Sequence, residues 1–263
     1  MLIKVTNYCS HGCSHCMEDS TIKGGHMSEE TFVQSMRFTL QAEALAYADG
    51  YPPLLLLSGG ECTEHPDILH FIELAMEWGF FPMLITNGMW LNNKEMRESI
   101  LRPAWKNLRI QVTNDARYYP TAPTPVEDER ITYIDAITTL LPLGRAARKK
   151  GAPLVPTRQA PSSFNFRSLA RGLGSFEKAV AALRFRFLEG KSGSCTPNIT
   201  EVGDVLAGES RNCFKIGTIA STNAELTENL LKMRCNECGL VDNLTQEQKR
   251  AIGESVLFDA HGR

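Results

Sequence analysis

The sequence predicts a parallel α/β fold. Strand-like and helix-like segments alternate at a regular pitch from Leu2 to Thr113, one of the strands is an unbroken apolar run, and the glycine and polar clusters fall where strands end.

Leu2 to Thr6 alternates and reads as a short strand entering a cysteine-rich loop. Ser28 is placed to cap a helix in which Phe32, Val33, Met36, Leu40, Ala44 and Tyr47 recur at helical spacing until Asp49-Gly50. Pro53 to Ser58 is apolar until its last residue and runs into Gly59-Gly60, the pattern of a strand buried on both faces. A helix is expected from about Pro66 to Trp78, with proline in its first turn and Gly79 ending it. Met83-Leu84-Ile85 makes a third strand closed by Thr86-Asn87-Gly88, Asn93 to Leu101 a short helix, and Leu108 to Thr113 a fourth strand. Strands joined by helices in this way lie parallel with right-handed crossovers, and chemistry in such folds gathers at the C-terminal strand ends. Further on, Tyr118 to Thr124 reads as a Pro-rich loop, Ile131 to Leu143 holds a fifth strand, and Leu169 to Leu188 is largely helical.

Composition sets the class. With 263 residues, 43% hydrophobic and 22% charged, the chain has ample length for a core and is neither disordered, collagen-like nor coiled coil. No apolar run approaches the length that spans a bilayer, and the first residues, MLIKVTNYCS, lack the basic and apolar regions of a signal peptide. A cytoplasmic, reducing setting with no membrane partner is therefore expected, and the eight cysteines need a reason other than disulfides.

Seven of those cysteines form two groups. The first is Cys9, Cys13 and Cys16 in a C-x3-C-x2-C loop after the first strand. Three thiolates this close can hold three irons of a cubic iron–sulfur cluster and leave the fourth without a protein ligand. A catalytic metal site keeps such an open position and a structural one fills it. A zinc site or a set of reduced buried cysteines is the plainer alternative.

This loop, with His15 before its third cysteine, resembles that of the radical S-adenosylmethionine (radical SAM) superfamily. Ser58-Gly59-Gly60-Glu61 at the end of the second strand is similar to that family's Gly-Gly-Glu motif, which holds the amino group of AdoMet. Thr113 and Asp115, in Val-Thr-Asn-Asp-Ala, stand where many members carry Val-Ser-x-Asp-Gly with polar contacts to AdoMet. The resemblance implies a partial (βα)6-type barrel, a catalytic 4Fe–4S cluster on Cys9, Cys13 and Cys16, and AdoMet bound at its open iron through Gly59, Gly60 and Glu61. It also implies a contact to AdoMet from His15. The chemistry implied is a 5′-deoxyadenosyl radical that takes hydrogen from a substrate, fed by a one-electron reductant such as flavodoxin or ferredoxin.

The second group is Cys195, Cys213, Cys235 and Cys238, spaced C-x17-C-x21-C-x2-C. Between its first two members, Ile199 to Leu206 reads as a hairpin about Gly203, and a helix is expected from about Asn223 to Lys232. The pattern resembles the twitch domain, the short form of the SPASM domain, whose four cysteines hold a closed auxiliary 4Fe–4S cluster. A four-cysteine zinc site fits the spacing too. The resulting division is a core over residues 1–190, a twitch-like domain over 191–245 and a tail over 246–263. Cys62 reads as a small buried hydrophobe, and His26, His65, His70 and His261 form no ligand pattern.

Charge is the remaining clue. From Arg145 to Arg186 the chain carries ten basic residues against one acidic, while the rest holds 18 basic and 29 acidic. Phe164, Phe166, Phe185 and Phe187 interleave with the basic stretch, as in surfaces that grip phosphates and stack on bases; a solvated basic face over a core is the alternative. An anionic substrate follows, a modified nucleobase in DNA or a peptide, with isomerisation or oxidation as the reaction class. A peptide maturase or small-molecule dehydrogenase is the competing enzyme reading, and a non-catalytic zinc module the competing class. Gly144-Arg145-Ala146 is similar to an element late in some such cores, which would place Arg145 at AdoMet instead.

Overall fold

The computed structural model describes residues 1–13, 16, 18–42, 53–113, 124–134, 198–206, 211 and 213–232. Leu2–Thr6 forms β1, Leu54–Gly59 β2, Phe81–Thr86 β3, Arg109–Thr113 β4 and Ile131–Ile134 β5. Helix α1 (Glu29–Ala42) lies between β1 and β2, α2 (Ile68–Glu77) between β2 and β3, and α3 (Lys94–Ile100) between β3 and β4. Each of β1 to β5 pairs in parallel with the next.

Three further strands extend the same sheet from the other side of β1: β6 (Asn198–Ile199), β7 (Asp204–Leu206) and β8 (Lys215–Thr218), in the order β5-β4-β3-β2-β1-β6-β7-β8. β6 is parallel to β1, and β6, β7 and β8 pair antiparallel in turn. Helix α4 (Asn223–Leu231) follows. Among the described residues the sheet is open, as in a partial barrel, and the α/β class expected from the sequence holds. The expected hairpin turns at Gly203, whose φ of +81° is one that glycine adopts without strain.

The sheet has a helix-facing side and an opposite one. Ile3, Val5, Leu55, Leu57, Leu84, Ile110 and Val112 share one apolar core with Phe32 and Met36 of α1 and with Ile68, Phe71, Ile72 and Ala75 of α2. Phe32 and Phe71 stack at 4.2 Å with 2° between their planes, which locks α1 to α2. Burying each such side chain contributes about 1.5–3 kcal/mol. Leu54 and Leu56 alternate with this set and are buried on the opposite side, so the apolar run of β2 does reflect two covered faces.

That opposite side is not wholly apolar. Lys4, in the middle of β1, is 1% exposed and donates to Glu18 Oε1 at 2.6 Å. Burial pushes the Glu18 carboxyl up, and Lys4 and Arg211 pull it back down. Arg211 forks onto Glu201 at 2.6 and 2.7 Å, and Lys215 pairs with Asp204 at 2.6 Å.

Local chemistry sets the ends of the elements. Ser28 Oγ accepts from the Thr31 amide at 3.2 Å, so α1 starts where its capping residue predicts. Asn93 does the same for α3, accepting from Met96 at 3.1 Å. The second helix begins at Ile68, two residues later than Pro66. A 3-10 turn over Cys62–Glu64 precedes it, and the Asp67 amide is taken by His65 Nδ1 at 3.0 Å. Arg130 fixes the entry to β5: its guanidinium forks onto Asp128 and donates to the carbonyls of Leu101, Arg102 and Trp105. The end of the first helix beyond residue 42, the Pro-rich loop up to residue 123 and the helix expected over 169–188 lie outside the described residues.

Candidate functional site

Three loops meet at the C-terminal ends of β1, β2 and β3. The first carries the cysteines. Its leading limb, Thr6 to Cys9, is held on two sides by main chain. On one side the Gly60 amide donates to the Thr6 carbonyl at 2.8 Å and the Glu61 amide to the Tyr8 carbonyl at 3.0 Å. On the other side a return strap donates and accepts: the Asn7 amide bonds to Gly25 O at 2.8 Å, Cys9 to Thr21 O at 3.1 Å, and Met27 to Val5 O at 2.8 Å.

Glycine is needed at these contacts. A Cβ at Gly59 would sit 2.1 Å from the Thr6 carbonyl oxygen, and one at Gly60 2.1 Å from that of Tyr8. In the strap, a Cβ at Gly24 would fall 2.0 Å from Asn7 O. The space their missing side chains leave is occupied by the backbone of the cysteine loop. Gly59 also has φ +135°, a conformation other residues rarely take.

Glu61 is buried and acts as a hub. Its Oε1 accepts from the Thr63 amide at 3.1 Å and from the hydroxyls of Thr63 and Thr86 at 2.6 Å each, and its Oε2 accepts from the Asn87 amide at 2.8 Å. Burial pushes its carboxyl up while these donors pull it down. The carboxylate therefore ties the end of β2 to the end of β3. The Asn87 side chain in turn accepts from Met89, and Thr86 Oγ1 from Gly88, so the Thr-Asn-Gly turn closes on itself.

Glu64, three residues on, reaches back to the cysteine loop. Its Oε2 accepts from the Ser10 amide at 2.8 Å, and its Oε1 accepts from the Ser10 hydroxyl. Thr6 is a second junction: its hydroxyl donates to Gly25 O at 2.9 Å, accepts from the Tyr8 amide at 2.9 Å and meets His26 Nδ1 at 2.9 Å. Behind it, His65 is buried against Phe71. Its Nδ1 accepts from Asp67, so its Nε2 carries the proton and donates to Met27 O at 2.9 Å. Burial first, with His26 adding, lowers its pKa and keeps the ring neutral.

Of the residues picked out from the sequence, Cys9, Cys13, Cys16, Gly59, Gly60 and Glu61 are brought to this one end of the sheet. Thr113 lies half-buried at the end of β4. His15, Asp115, Cys195, Cys235 and Cys238 lie outside the described residues, as does the basic stretch from Arg145 to Arg186. Cys213 is described, half-buried at the entry to β8. Cys62 is the fully buried thiol expected, donating to Ile85 O at 3.3 Å.

Cys9 is buried, and its thiol is pushed up to about 12, by burial first, with the charges of Glu61, Glu64 and Cys13 adding. Without a metal it stays protonated. Among the described residues no three His, Cys, Asp or Glu side chains converge on a point where one metal ion would sit. A cubic cluster asks for something else, because each of its thiolates binds a different iron.

Sequence reasoning missed Ser10, Thr6, Gly24, Glu64, Thr86 and Asn87. The Thr-Asn-Gly cluster at a strand end was a usable signal for two of them; Glu64 has none.

No family model and no curated protein matches this chain. Among solved structures, it is similar to Streptococcus suis SuiB bound to its precursor peptide SuiA, at 17% identity over 43% of this chain and 24% of that one, with a TM-score of 0.33. It is similar to SuiB bound to S-adenosylmethionine at 12% identity over 78% of this chain and 59% of that one, with a TM-score of 0.40. Native anSMEcpe with bound AdoMet and Cp18Cys peptide matches at 16% identity over 86% of this chain and 79% of that one, with a TM-score of 0.38. The chain thus spans less than two thirds of SuiB, and at these TM-scores the likenesses carry no argument about its activity.

Proposed function

We propose that this chain is a radical SAM enzyme, in which Cys9, Cys13 and Cys16 hold a catalytic 4Fe–4S cluster next to the Gly59-Gly60-Glu61 turn that seats AdoMet. The observation that carries the reading is the direct hydrogen bonding of the cysteine loop onto that turn, Gly60 to Thr6 and Glu61 to Tyr8. Two motifs far apart in the chain become one surface at the ends of β1 and β2.

The residues present fit these groups. Three soft thiols on one loop suit irons and leave a coordination position open. The loop is anchored by main-chain bonds along Thr6 to Cys9 and by Ser10 on Glu64, and the Cys16 amide donates to Cys13 O at 3.2 Å. Cys9 must release its proton on loading, which makes iron uptake easier at higher pH. Together the two bound groups supply one-electron cleavage of a sulfonium and removal of a hydrogen atom from substrate. Glu61 holds the ends of β2 and β3 in place, and Thr113 and Asp115 supply polar contacts to AdoMet.

In this reading Cys195, Cys213, Cys235 and Cys238 hold a second, closed 4Fe–4S cluster, and a small one-electron donor protein reduces the chain. The substrate is anionic, with Arg145 to Arg186 as its contact, and a modified nucleobase in DNA is the class we favour. The reaction is a rearrangement or an oxidation of that substrate.

Anaerobic reconstitution tests this. Roughly eight irons per chain with absorbance near 400 nm are expected, with 5′-deoxyadenosine formed after reduction and lost in Cys9→Ala. Zinc without iron, and intact AdoMet, would end the reading. For the substrate, reversing charge at Arg148, Lys149 and Lys150 should weaken DNA binding and flatten its salt dependence. Unchanged DNA binding, or capture of a peptide instead, would remove the nucleobase assignment.

A further inference from the structure

The Glu64 carboxylate spans the gap between the turn after β2 and the cysteine loop, where it takes both donors of Ser10. Ser10 directly follows Cys9, so this contact holds the backbone next to the first thiol. The opposite flank of the loop is held by neutral main chain, from Thr21 and Gly25. Glu64 differs from these anchors in holding the loop through a carboxylate rather than main chain, and it is half-buried at the rim; the buried Glu61 carboxylate is the other charge at this end of the sheet.

We propose that Glu64 is a positioning residue for the cysteine loop, and that its negative charge makes a cluster held by Cys9, Cys13 and Cys16 harder to reduce. The proposal rests on the radical SAM reading for its second half; the first half stands on the hydrogen bonds to Ser10. Two effects follow from one carboxylate. Its two acceptors hold the Cys9–Ser10 peptide plane and the Ser10 hydroxyl, and with them the stretch of backbone that carries the Cys9 thiol. Its charge, held against the residue next to Cys9, opposes the arrival of an electron at the same place.

The test uses the full chain with Glu64→Gln, Glu64→Asp and Ser10→Ala. In the metal-free protein, peptide-resolved maleimide labelling of Cys9 should speed up roughly tenfold in Glu64→Gln, the size of one lost charge-assisted hydrogen bond. After anaerobic reconstitution, the EPR signal that changes on adding AdoMet reports the first cluster. For that signal, Glu64→Gln should favour the reduced form by roughly tenfold, about 59 mV upward for one electron. Glu64→Asp, which keeps the charge, should leave the midpoint within about twofold of wild type in reduction constant, and so should Ser10→Ala, which speeds labelling without removing charge. Wild-type labelling in Glu64→Gln overturns the anchoring role. A full complement of iron with an unmoved midpoint overturns the charge role. If the wild-type chain takes up no iron at all, the radical SAM reading and the charge role fall together, and labelling alone decides the anchor.

Discussion

Gly60→Ala is the substitution that the site geometry predicts most sharply. Gly60 has an ordinary φ, so alanine costs nothing in backbone strain and the whole effect is steric. The new methyl would lie 2.1 Å from the Tyr8 carbonyl oxygen and 2.7 Å from its carbon. Such atoms do not approach within about 3 Å, so the cysteine limb must move off by about 1 Å. That displacement strains the bonds from Gly60 to Thr6 O and from Glu61 to Tyr8 O, now 2.8 and 3.0 Å. Overpacking of this kind costs about 1–3 kcal/mol, and each weakened bond about 1 kcal/mol. A loss of about 3 kcal/mol follows, or roughly 6–12 °C in Tm for a chain of this size. Gly25→Ala is the matched control, since nothing lies within 4 Å of its added carbon and its φ is unremarkable. Thermal and urea unfolding of both variants, with iron content after reconstitution, would measure the effect. A Gly60→Ala protein as stable as Gly25→Ala and equally able to take up iron would refute the argument that these glycines exist to admit the cysteine loop.

Three further outcomes are expected. Arg130→Met should cost about 3 kcal/mol in urea unfolding, because it leaves Asp128 and three carbonyls without their donor; a loss under about 0.5 kcal/mol would contradict the clamp. Glu61→Gln keeps the shape but turns one acceptor into a donor facing the donors of Thr63, Thr86 or Asn87, and should lower stability by about 2 kcal/mol; an unchanged Tm would show that the hub is not formed. His65 is held neutral with a lowered pKa, so above about pH 6.5 it adds no pH dependence. As pH falls below that value the unfolded chain takes up the proton first and stability drops. With His26 and Asp67 as its titratable neighbours, the test is the difference in urea midpoint between wild type and His65→Gln from pH 7.5 to 5; parallel curves would exclude the effect.

What was legible in the sequence was local or periodic. The buried run of β2, the Ser28 cap, the short helix starting about Asn93 and the Gly203 turn each depend on residues within a few positions of one another, and each is where its pattern put it. The cysteine loop and Gly-Gly-Glu were legible as chemistry because their spacing is distinctive. Their joining was not. That Gly59 and Gly60 admit Thr6 and Tyr8 follows only from the parallel pairing of β1 with β2. Glu61 was visible, but its partners Thr86 and Asn87 arrive through β3, and hydrogen-bond partners chosen by topology leave no trace in spacing. Glu64 was invisible for a plainer reason: an acidic residue in a short turn is commonplace until the sheet brings Ser10 to it.

The buried Lys4 has a consequence for the first thiol. In β1 the residues that face the helices are Ile3 and Val5, while Lys4 faces the other way, toward Glu18. A slip of one residue would turn the lysine into the apolar core among Phe32 and Phe71, a burial without an acidic partner. It would also carry the following chain about 3.3 Å along the sheet. Since Cys9 follows β1 by three residues, the misregistered chain would present its thiol to the wrong place on the turn after β2. Lys4 thus works as a register pin: one charge, four residues before Tyr8 and five before Cys9, disfavours the one-residue slip in which the loop is built but misplaced.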